Sequence, residues 1–260
     1  MPSDVLTVLY LGDVIGKPGR QAVVPFIKKF KADFKIINGE NLAGGLGITP
    51  ALAMEMLEQG VDAIATGNHV WKKKEMIPYL MAEARVIRPL NYPAGTPGFG
   101  YTLLEKNGKR LYLANLEGRT FMGTVDCPFR AAQEFLRERK AGIPVIVDFH
   151  AEATSEKIAM GWFLDGQVSV VLGTHTHVQT ADERILPKGT GYITDVGMCG
   201  PVRSVLGMDR EIVLAKFRRT LPARFEVANE PGVISAVVID VERVSGRATQ
   251  IERVRFGEEA

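Results

Sequence analysis

The run Ile143-Pro144-Val145-Ile146-Val147-Asp148-Phe149-His150 decides the class of fold. From Ile143 to Phe149 it is nearly continuously apolar, rich in β-branched side chains and too short for a typical globular helix. It therefore reads as a strand buried on both faces. It ends on a histidine. The same grammar recurs along the chain. Val5 to Leu11 runs into Gly12-Asp13, Phe34 to Ile37 into Asn38-Gly39-Glu40-Asn41, and Asp62 to Thr66 into Gly67-Asn68-His69. Val168 to Leu172 runs into Gly173-Thr174-His175-Thr176-His177.

Helical segments separate these runs. Gln21 to Lys31 follows Pro18-Gly19, and Pro50 to Gln59 has Thr49 as its N-cap with Gly60 just past its end. Lys72 to Ala84 is a third, and Arg130 to Ala141, closed by Gly142, a fourth. Strand and helix alternating at this spacing predict βαβ units around a largely parallel sheet. Two segments break the rhythm. Tyr101 to Leu104 and Lys109 to Leu113 flank the turn signal Lys106-Asn107-Gly108, which predicts a hairpin. Val233 to Val241 and Ala248 to Val254 flank Ser245-Gly246, which predicts a closing antiparallel pair. The expectation is one α/β domain over residues 1–260 with a mixed sheet system.

Composition sets the outer bounds. The 260 residues are 46% hydrophobic and 24% charged, which excludes global disorder, and a chain of this length buries a core without disulfide or zinc staples. A formal charge of +2 is too balanced for sequence-independent capture of nucleic acid or an anionic membrane. Cys127 and Cys199 form no CxxC pair, so they read as reduced thiols. The stretch MPSDVLTVLYLGD has no basic n-region, and no apolar run approaches the ~20 residues of a membrane span. A cytoplasmic protein with no membrane contact is expected.

The rare residues fall where the chemistry of such folds sits. Each of the four histidines, His69, His150, His175 and His177, lies at or just beyond the end of a predicted strand. Loops at the carboxyl ends of parallel strands are where open α/β sheets place their sites. Asp13, Glu40, Asn41 and Asn68 occupy the same kind of position. If the strands are neighbours, one edge of the sheet gathers two carboxylates, two carboxamides and four imidazoles. A mixed nitrogen and oxygen set without thiolate suits first-row divalent metals. A ligand set of this size is used more economically by two ions than by one, and a two-metal site activates a bridging water and clamps the oxygens of an in-line phosphoryl displacement. His175 and His177, at alternate positions of an extended segment, are expected to point the same way. Singly, each of these residues has an ordinary structural reading: a hydrogen-bonded histidine, a turn asparagine, a capping glutamate. It is their coincidence that argues for a site.

Taken together, Gly12-Asp13-Val14-Ile15-Gly16 with Gly19-Arg20, Asn38-Gly39-Glu40-Asn41, Gly67-Asn68-His69-x-Trp71, Asp148-Phe149-His150-Ala151-Glu152, Gly173-Thr174-His175-Thr176-His177 and Thr194-Asp195-x-Gly197-Met198-x-Gly200 resemble the YmdB-like branch of the calcineurin-like metallophosphoesterases. The resemblance spans nearly the whole chain. It implies a four-layer αββα sandwich with mixed central sheets, a di-metal centre and phosphodiesterase activity on cyclic nucleotides, 2',3' or 3',5'. Carried over by position, Asp13 and His177 would bind one ion, Asn68, His150 and His175 the other, and Glu40 would bridge them. Asn41 resembles a further ligand or a phosphate contact, and His69 the general acid that protonates the leaving oxygen. Asp13-Val14-Ile15 lacks the histidine of the wider superfamily's first motif, and Glu40 stands where that superfamily bridges with aspartate. Iron or manganese is expected ahead of zinc or magnesium.

Other phosphate-binding schemes fail on the letters. Gly12 to Lys17 has three residues between its glycines where a P-loop has four, and Pro18 where that loop needs Ser or Thr. Gly45-Leu46-Gly47-Ile48-Thr49-Pro50 lacks the third glycine of a dinucleotide fingerprint. There is no GxSxG elbow and no HExxH helix. A small-molecule phosphodiester or nucleotide substrate is expected, with RNA ends as a wider form of it. Phosphomonoesterase or nucleotidase activity stays open, as does a metal-bound regulatory protein that binds a nucleotide or partner and turns over slowly. Arg20, Arg119 and Arg210 are candidate phosphate contacts. The exposed hairpin edge at Tyr101 to Leu113 makes a homo-oligomer reasonable.

Overall fold

The computed structural model describes residues 5–257; the first four residues of the N-terminal stretch read above lie outside them. The chain runs β1 (Val5–Val14), α1 (Gly16–Lys29), β2 (Phe34–Asn38), α2 (Pro50–Glu58), β3 (Ala63–Ala65), a 3-10 turn (Val70–Lys72), α3 (Met76–Ala82) and β4 (Val86–Ile87). The hairpin β5 (Tyr101–Lys106) and β6 (Lys109–Glu117) follows, then α4 (Pro128–Glu138), β7 (Val145–His150), α5 (Thr154–Leu164) and β8 (Val170–Thr174). The last third holds β9 (Arg184–Ile185), β10 (Gly191–Ile193), β11 (Met198–Pro201), α6 (Arg210–Arg219), β12 (Gly232–Glu242) and β13 (Ala248–Phe256).

The strands form two mixed sheets. The first has the order β13-β12-β11-β1-β2-β3-β4, and the second β5-β6-β7-β8-β10-β9. In the first, β1 pairs in parallel with β2 and β11 and antiparallel with β12. In the second, β6, β7, β8 and β10 are parallel, with antiparallel β5 and β9 at the edges.

Packing explains why these runs are apolar on both sides. Tyr10, Phe34 and Ile36 from the first sheet meet Leu113, Ile146 and Leu172 from the second in a central core. The outer face of the first sheet buries Leu9, Leu11 and Ile37 against α1 and α2 through Val23, Ile27 and Met56. The outer face of the second buries Val147, Phe149 and Val171 against α4 and α5 through Phe135 and Met160. This is the four-layer αββα sandwich. A strand interior to both sheet and sandwich has no solvated face, so the alternation of a one-sided strand never develops.

Helix boundaries differ from the sequence reading where proline intervenes. α1 starts at Gly16 rather than Gln21, because Pro18 is tolerated in a first turn whose N–H groups have no intrahelical partner. The segment expected over Lys72 to Ala84 is split. Pro78 lacks an N–H and its ring crowds the carbonyl four residues back, so α3 is confined to Met76–Ala82 behind a separate 3-10 turn. α4 begins at Pro128, pre-set for the first turn, and ends before Lys140. α2 follows its expected N-cap, with Thr49 accepting from the Leu52 N–H at 3.3 Å. At the β5–β6 hairpin Asn107 and Gly108 both have positive φ, 51° and 72°, as a two-residue turn between right-twisted strands requires. No helix among the described residues is long and apolar enough to cross a membrane. Cys127 and Cys199 are both free, and the Cys199 thiol donates to the Ser235 carbonyl.

Candidate active site

All eight residues expected at the site lie at or just beyond the carboxyl ends of parallel strands, but on two sheets rather than on one edge of a single sheet. Asp13 stands in the last residues of β1, and Glu40, Asn41, Asn68 and His69 follow β2 and β3, whereas His150, His175 and His177 end or follow β7 and β8. The two carboxyl edges face one another across the sandwich.

Two glycines let the backbone close up around the site, Gly12 within the first sheet and Gly67 between the two edges. Gly12 sits where the β1–β2 register shifts, and a Cβ there would lie 1.9 Å from the Gly197 carbonyl oxygen. A Cβ on Gly67 would lie 2.4 Å from both His150 Nε2 and Glu40 Oε2. Any side chain at Gly67 displaces the centre itself.

The tightest group surrounds His150, which is fully buried. Glu40 Oε1, Asn68 Oδ1 and His175 Nδ1 each stand 3.1 Å from His150 Nε2. One ring nitrogen carries at most one proton, so three electron-pair donors around it cannot all be satisfied by hydrogen bonds. A cation could satisfy them together. Bonds of about 2.1 Å to a first-row ion give ligand-to-ligand edges of about 3.0 to 3.4 Å. The ligating atoms of Glu40, His150 and His175 lie within 4.8 Å of one another.

The tautomer of His150 follows from its other nitrogen. The Thr174 hydroxyl gives its single proton to Asp148 Oδ1 at 2.6 Å, so at 2.9 Å it accepts from His150 Nδ1–H and leaves Nε2 for the centre. Asp148 is held in turn by Tyr10 Oη at 2.5 Å and Asn38 Nδ2 at 3.1 Å. His175 Nε2 lies 3.1 Å from Glu152, which fixes that ring with Nδ1 inward. Such outer partners set ligand orientation and basicity.

A second, looser group adjoins the first. His177 donates Nδ1–H to the Leu206 carbonyl at 3.1 Å and turns Nε2 toward Asp13 Oδ1, at 3.8 Å, and the Asn41 carboxamide, at 3.2 Å. Asp13 Oδ1 is buried without a hydrogen-bond partner, while Oδ2 accepts the His175 N–H at 3.2 Å. A bare carboxylate oxygen in the interior is costly unless a cation meets it. Asn41 Nδ2 lies 3.3 Å from Glu40 Oε1, and its Oδ1 faces His69 Nδ1 at 2.9 Å. Turning the carboxamide over presents oxygen inward instead.

Charge is arranged to match. Burial opposes protonation of His150, yet Glu40, Asp13 and Asp148 together raise it to about 9. Burial works against ionisation of Glu40, but the imidazoles of His150 and His69 hold it down to about 2. Burial pushes Asp13 up to about 6, and burial with the neighbouring His150 pushes His175 down to about 3. A protonated His150 thus stands in for positive charge that a divalent ion would supply more fully. His69 is half-buried, lowered by burial, and donates its backbone N–H to Glu40 Oε2 at 3.1 Å.

The extended geometry expected for His175-x-His177 is not what forms. Both residues have positive φ, 100° and 66°, and their rings serve different groups. Asp195 holds this turn by accepting from both the backbone N–H and the hydroxyl of Thr176, at 3.1 and 2.7 Å. The buried Lys157 ammonium binds the same carboxylate oxygen at 2.6 Å. Lys157, Asp148, Thr174 and Glu152 were not singled out from sequence. Asp148 and Glu152 flank His150 in the motif; a carboxylate inside a buried apolar strand was the signal for Asp148, while Glu152, exposed beyond the end of β7, had none. Of the three arginines, Arg20 donates to the Leu42 carbonyl at 2.6 Å and secures the loop after Asn41, while Arg119 and Arg210 are exposed.

Comparison with known proteins places the chain in a family and a fold. The family model described as YmdB-like protein matches residues 9–254. A Bacillus subtilis protein named 2',3'-cyclic-nucleotide 2'-phosphodiesterase is 50% identical over 259 residues, covering 98% of each chain. A crystal structure of a hypothetical protein from Thermus thermophilus, 43% identical, superposes with a TM-score of 0.91 over 98% of this chain and all of that one. A novel phosphatase from Mycoplasma pneumoniae, 35% identical, gives a TM-score of 0.90 over 97% of this chain and 93% of that one. With a family match across nearly the whole length and half of all aligned positions identical, the chain belongs to the YmdB-like protein family.

Proposed function

We propose that the chain is a divalent-metal-dependent phosphodiesterase that hydrolyses 2',3'-cyclic nucleotides. The observation that carries the reading is the convergence of Glu40, Asn68 and His175 on His150 Nε2 beside the unpartnered Asp13 Oδ1. The substrate class is supported by the name of the Bacillus subtilis relative. Asn68, His150 and His175 would hold one ion, Asp13, Asn41 and His177 a second, with Glu40 shared between them. The nitrogen and oxygen donor set favours iron or manganese. Bound there, the ions would polarise phosphoryl oxygens and acidify water.

The chain's own groups supply the rest. Glu152, Thr174 and the Leu206 carbonyl fix which nitrogen each histidine turns to the centre. With the Asn41 carboxamide turned so that its oxygen faces the ions, its Nδ2–H donates to His69 Nδ1, which leaves the imidazole proton on Nε2, where it can pass to the departing ribose oxygen. His69 stands next to Asn68 in the chain but outside the His150 cluster.

His69→Ala is therefore expected to keep its metal content by elemental analysis. It is expected to lower kcat about 10² to 10⁴-fold on a 2',3'-cyclic nucleotide, whose alkoxide needs a proton. The loss on bis(p-nitrophenyl) phosphate, with its stable leaving group, is expected to be smaller. Equal losses on both would remove His69 from the acid role.

A further inference from the structure

Beside the centre lies a cavity of about 380 Å³ that the chemistry above leaves unused. Asn68, Trp71, Tyr92, Thr96, Glu117 and Thr124 contribute to its wall. Asn68 belongs to both places, since its Oδ1 faces His150 Nε2 at 3.1 Å. Whatever occupies the cavity is therefore adjacent to a group bound at the centre.

The wall has two chemistries. One is aromatic. Trp71, the last letter of the Gly67-Asn68-His69-x-Trp71 motif, is half-buried and packs against Tyr92 with ring centroids 6.0 Å apart. The other is a carboxylate. Glu117 ends β6 and is 2% exposed. Its Oε2 accepts from Tyr92 Oη at 2.7 Å, and Gly123 lies beside Oε1. A carboxylate has about four lone-pair positions, so acceptor capacity is left over. No Lys or Arg pairs with Glu117 among the described residues.

These features select a ligand class. An uncompensated carboxylate repels a second phosphate and attracts neutral N–H donors, while an indole offers a stacking face that any planar heterocycle can use. A nucleobase has both a π-face and N–H donors. Guanine is the best match among the bases, because its N1–H and N2–H groups lie side by side and meet the two oxygens of one carboxylate. Cytosine sets an acceptor beside its amino group, and uracil has one N–H between two carbonyls.

Resting on the diesterase reading, we propose that this cavity is the base subsite of the enzyme. Trp71 stacks on the base and Glu117 reads its N–H edge, with guanine preferred, while the cyclic phosphate lies at the centre.

The test compares guanosine 2',3'-cyclic phosphate with methyl riboside 2,3-cyclic phosphate, which has the same phosphodiester ring and no base. Trp71→Ala is expected to lower kcat/KM for the guanosine substrate about tenfold more than for the base-free one, mostly through KM. Glu117→Gln is expected to shrink the ratio of guanosine to cytidine substrate by a similar factor. A readout independent of turnover uses Trp162→Phe, which leaves Trp71 as the lone tryptophan of the two. Guanosine 5'-monophosphate should quench its fluorescence saturably, and ribose 5-phosphate should not. Equal losses on both substrates in Trp71→Ala, or no quenching specific to the nucleotide, would overturn the subsite. A wild-type preference for cytidine would overturn the role of Glu117. Base-specific quenching in a chain that hydrolyses no cyclic nucleotide would uphold the subsite and sink the diesterase reading.

Discussion

At the scale of single residues, the centre depends on atoms that are absent as much as on those present. Gly67 has no side chain because His150 Nε2 and Glu40 Oε2 occupy that space. Gly67→Ala is expected to fold, since the position is in a loop, but to lose metal binding measured by elemental analysis; full metal content in that variant would contradict the packing argument. The titrating groups make a second prediction. His150 is raised from 6.5 to about 9, so in the metal-free chain its stabilisation is fully present below pH 6.5 and lost as pH rises through 9. Asp13, raised from 3.8 to about 6, also binds its proton more tightly when folded and gives up stability as pH rises through that window. Both signs agree. The Tm of the metal-free protein should fall between pH 6.5 and 9, and loading at pH 7.5 should release a proton, read from the buffer dependence of the calorimetric heat. A Tm flat across that range would contradict the assigned charge on His150. The histidines were legible in sequence because each stood at a strand end. The groups that orient them were less so: Thr174 reads in one dimension as an ordinary strand residue, and Asp148, although odd in an apolar strand, does not announce which histidine it serves.

At the scale of elements, the turn after β8 is where sequence reasoning and structure part. Alternation along His175-Thr176-His177 suggested an extended segment, but the left-handed φ values there are imposed by Asp195, which lies beyond β10 and is anchored by Lys157 on α5. Nothing local announces such a clamp. Lys157→Met would leave Asp195 charged, buried and without its cation, a loss of about 3–5 kcal/mol in chemical denaturation. Under 1 kcal/mol would mean that Thr176 and the Gly197 N–H satisfy Asp195 unaided. α2 illustrates the opposite case, where the signal was local and legible. Removing its cap by Thr49→Ala should cost about 1 kcal/mol, far less than breaking the buried pair. The starts of α1 and α4 were misplaced beside Pro18 and Pro128, whereas Pro50, preceded by a capping Thr49, marked the start of α2 correctly, since a proline begins a helix in one context and blocks its backward extension in another.

At the scale of the whole molecule, the strand runs were legible and their division between two sheets was not. Parallel strands buried on both faces look alike in sequence, and only the long-range pairing decides which sheet receives each. The division matters because it places Asp13, Glu40 and Asn68 opposite His150, His175 and His177, and the hydrogen bonds from Tyr10 and Asn38 to Asp148 tie one sheet to the other beneath the centre. The facing carboxyl edges make a two-ion phosphodiesterase centre the central claim. Its most direct test is elemental analysis of the protein purified without chelator, read alongside hydrolysis of a 2',3'-cyclic nucleotide by the same sample. The account predicts close to two equivalents of iron or manganese and diester cleavage that disappears on chelation and returns with Mn²⁺ or Fe²⁺. Protein that binds no divalent ion, and stays inactive on the diester after either is added, would contradict it.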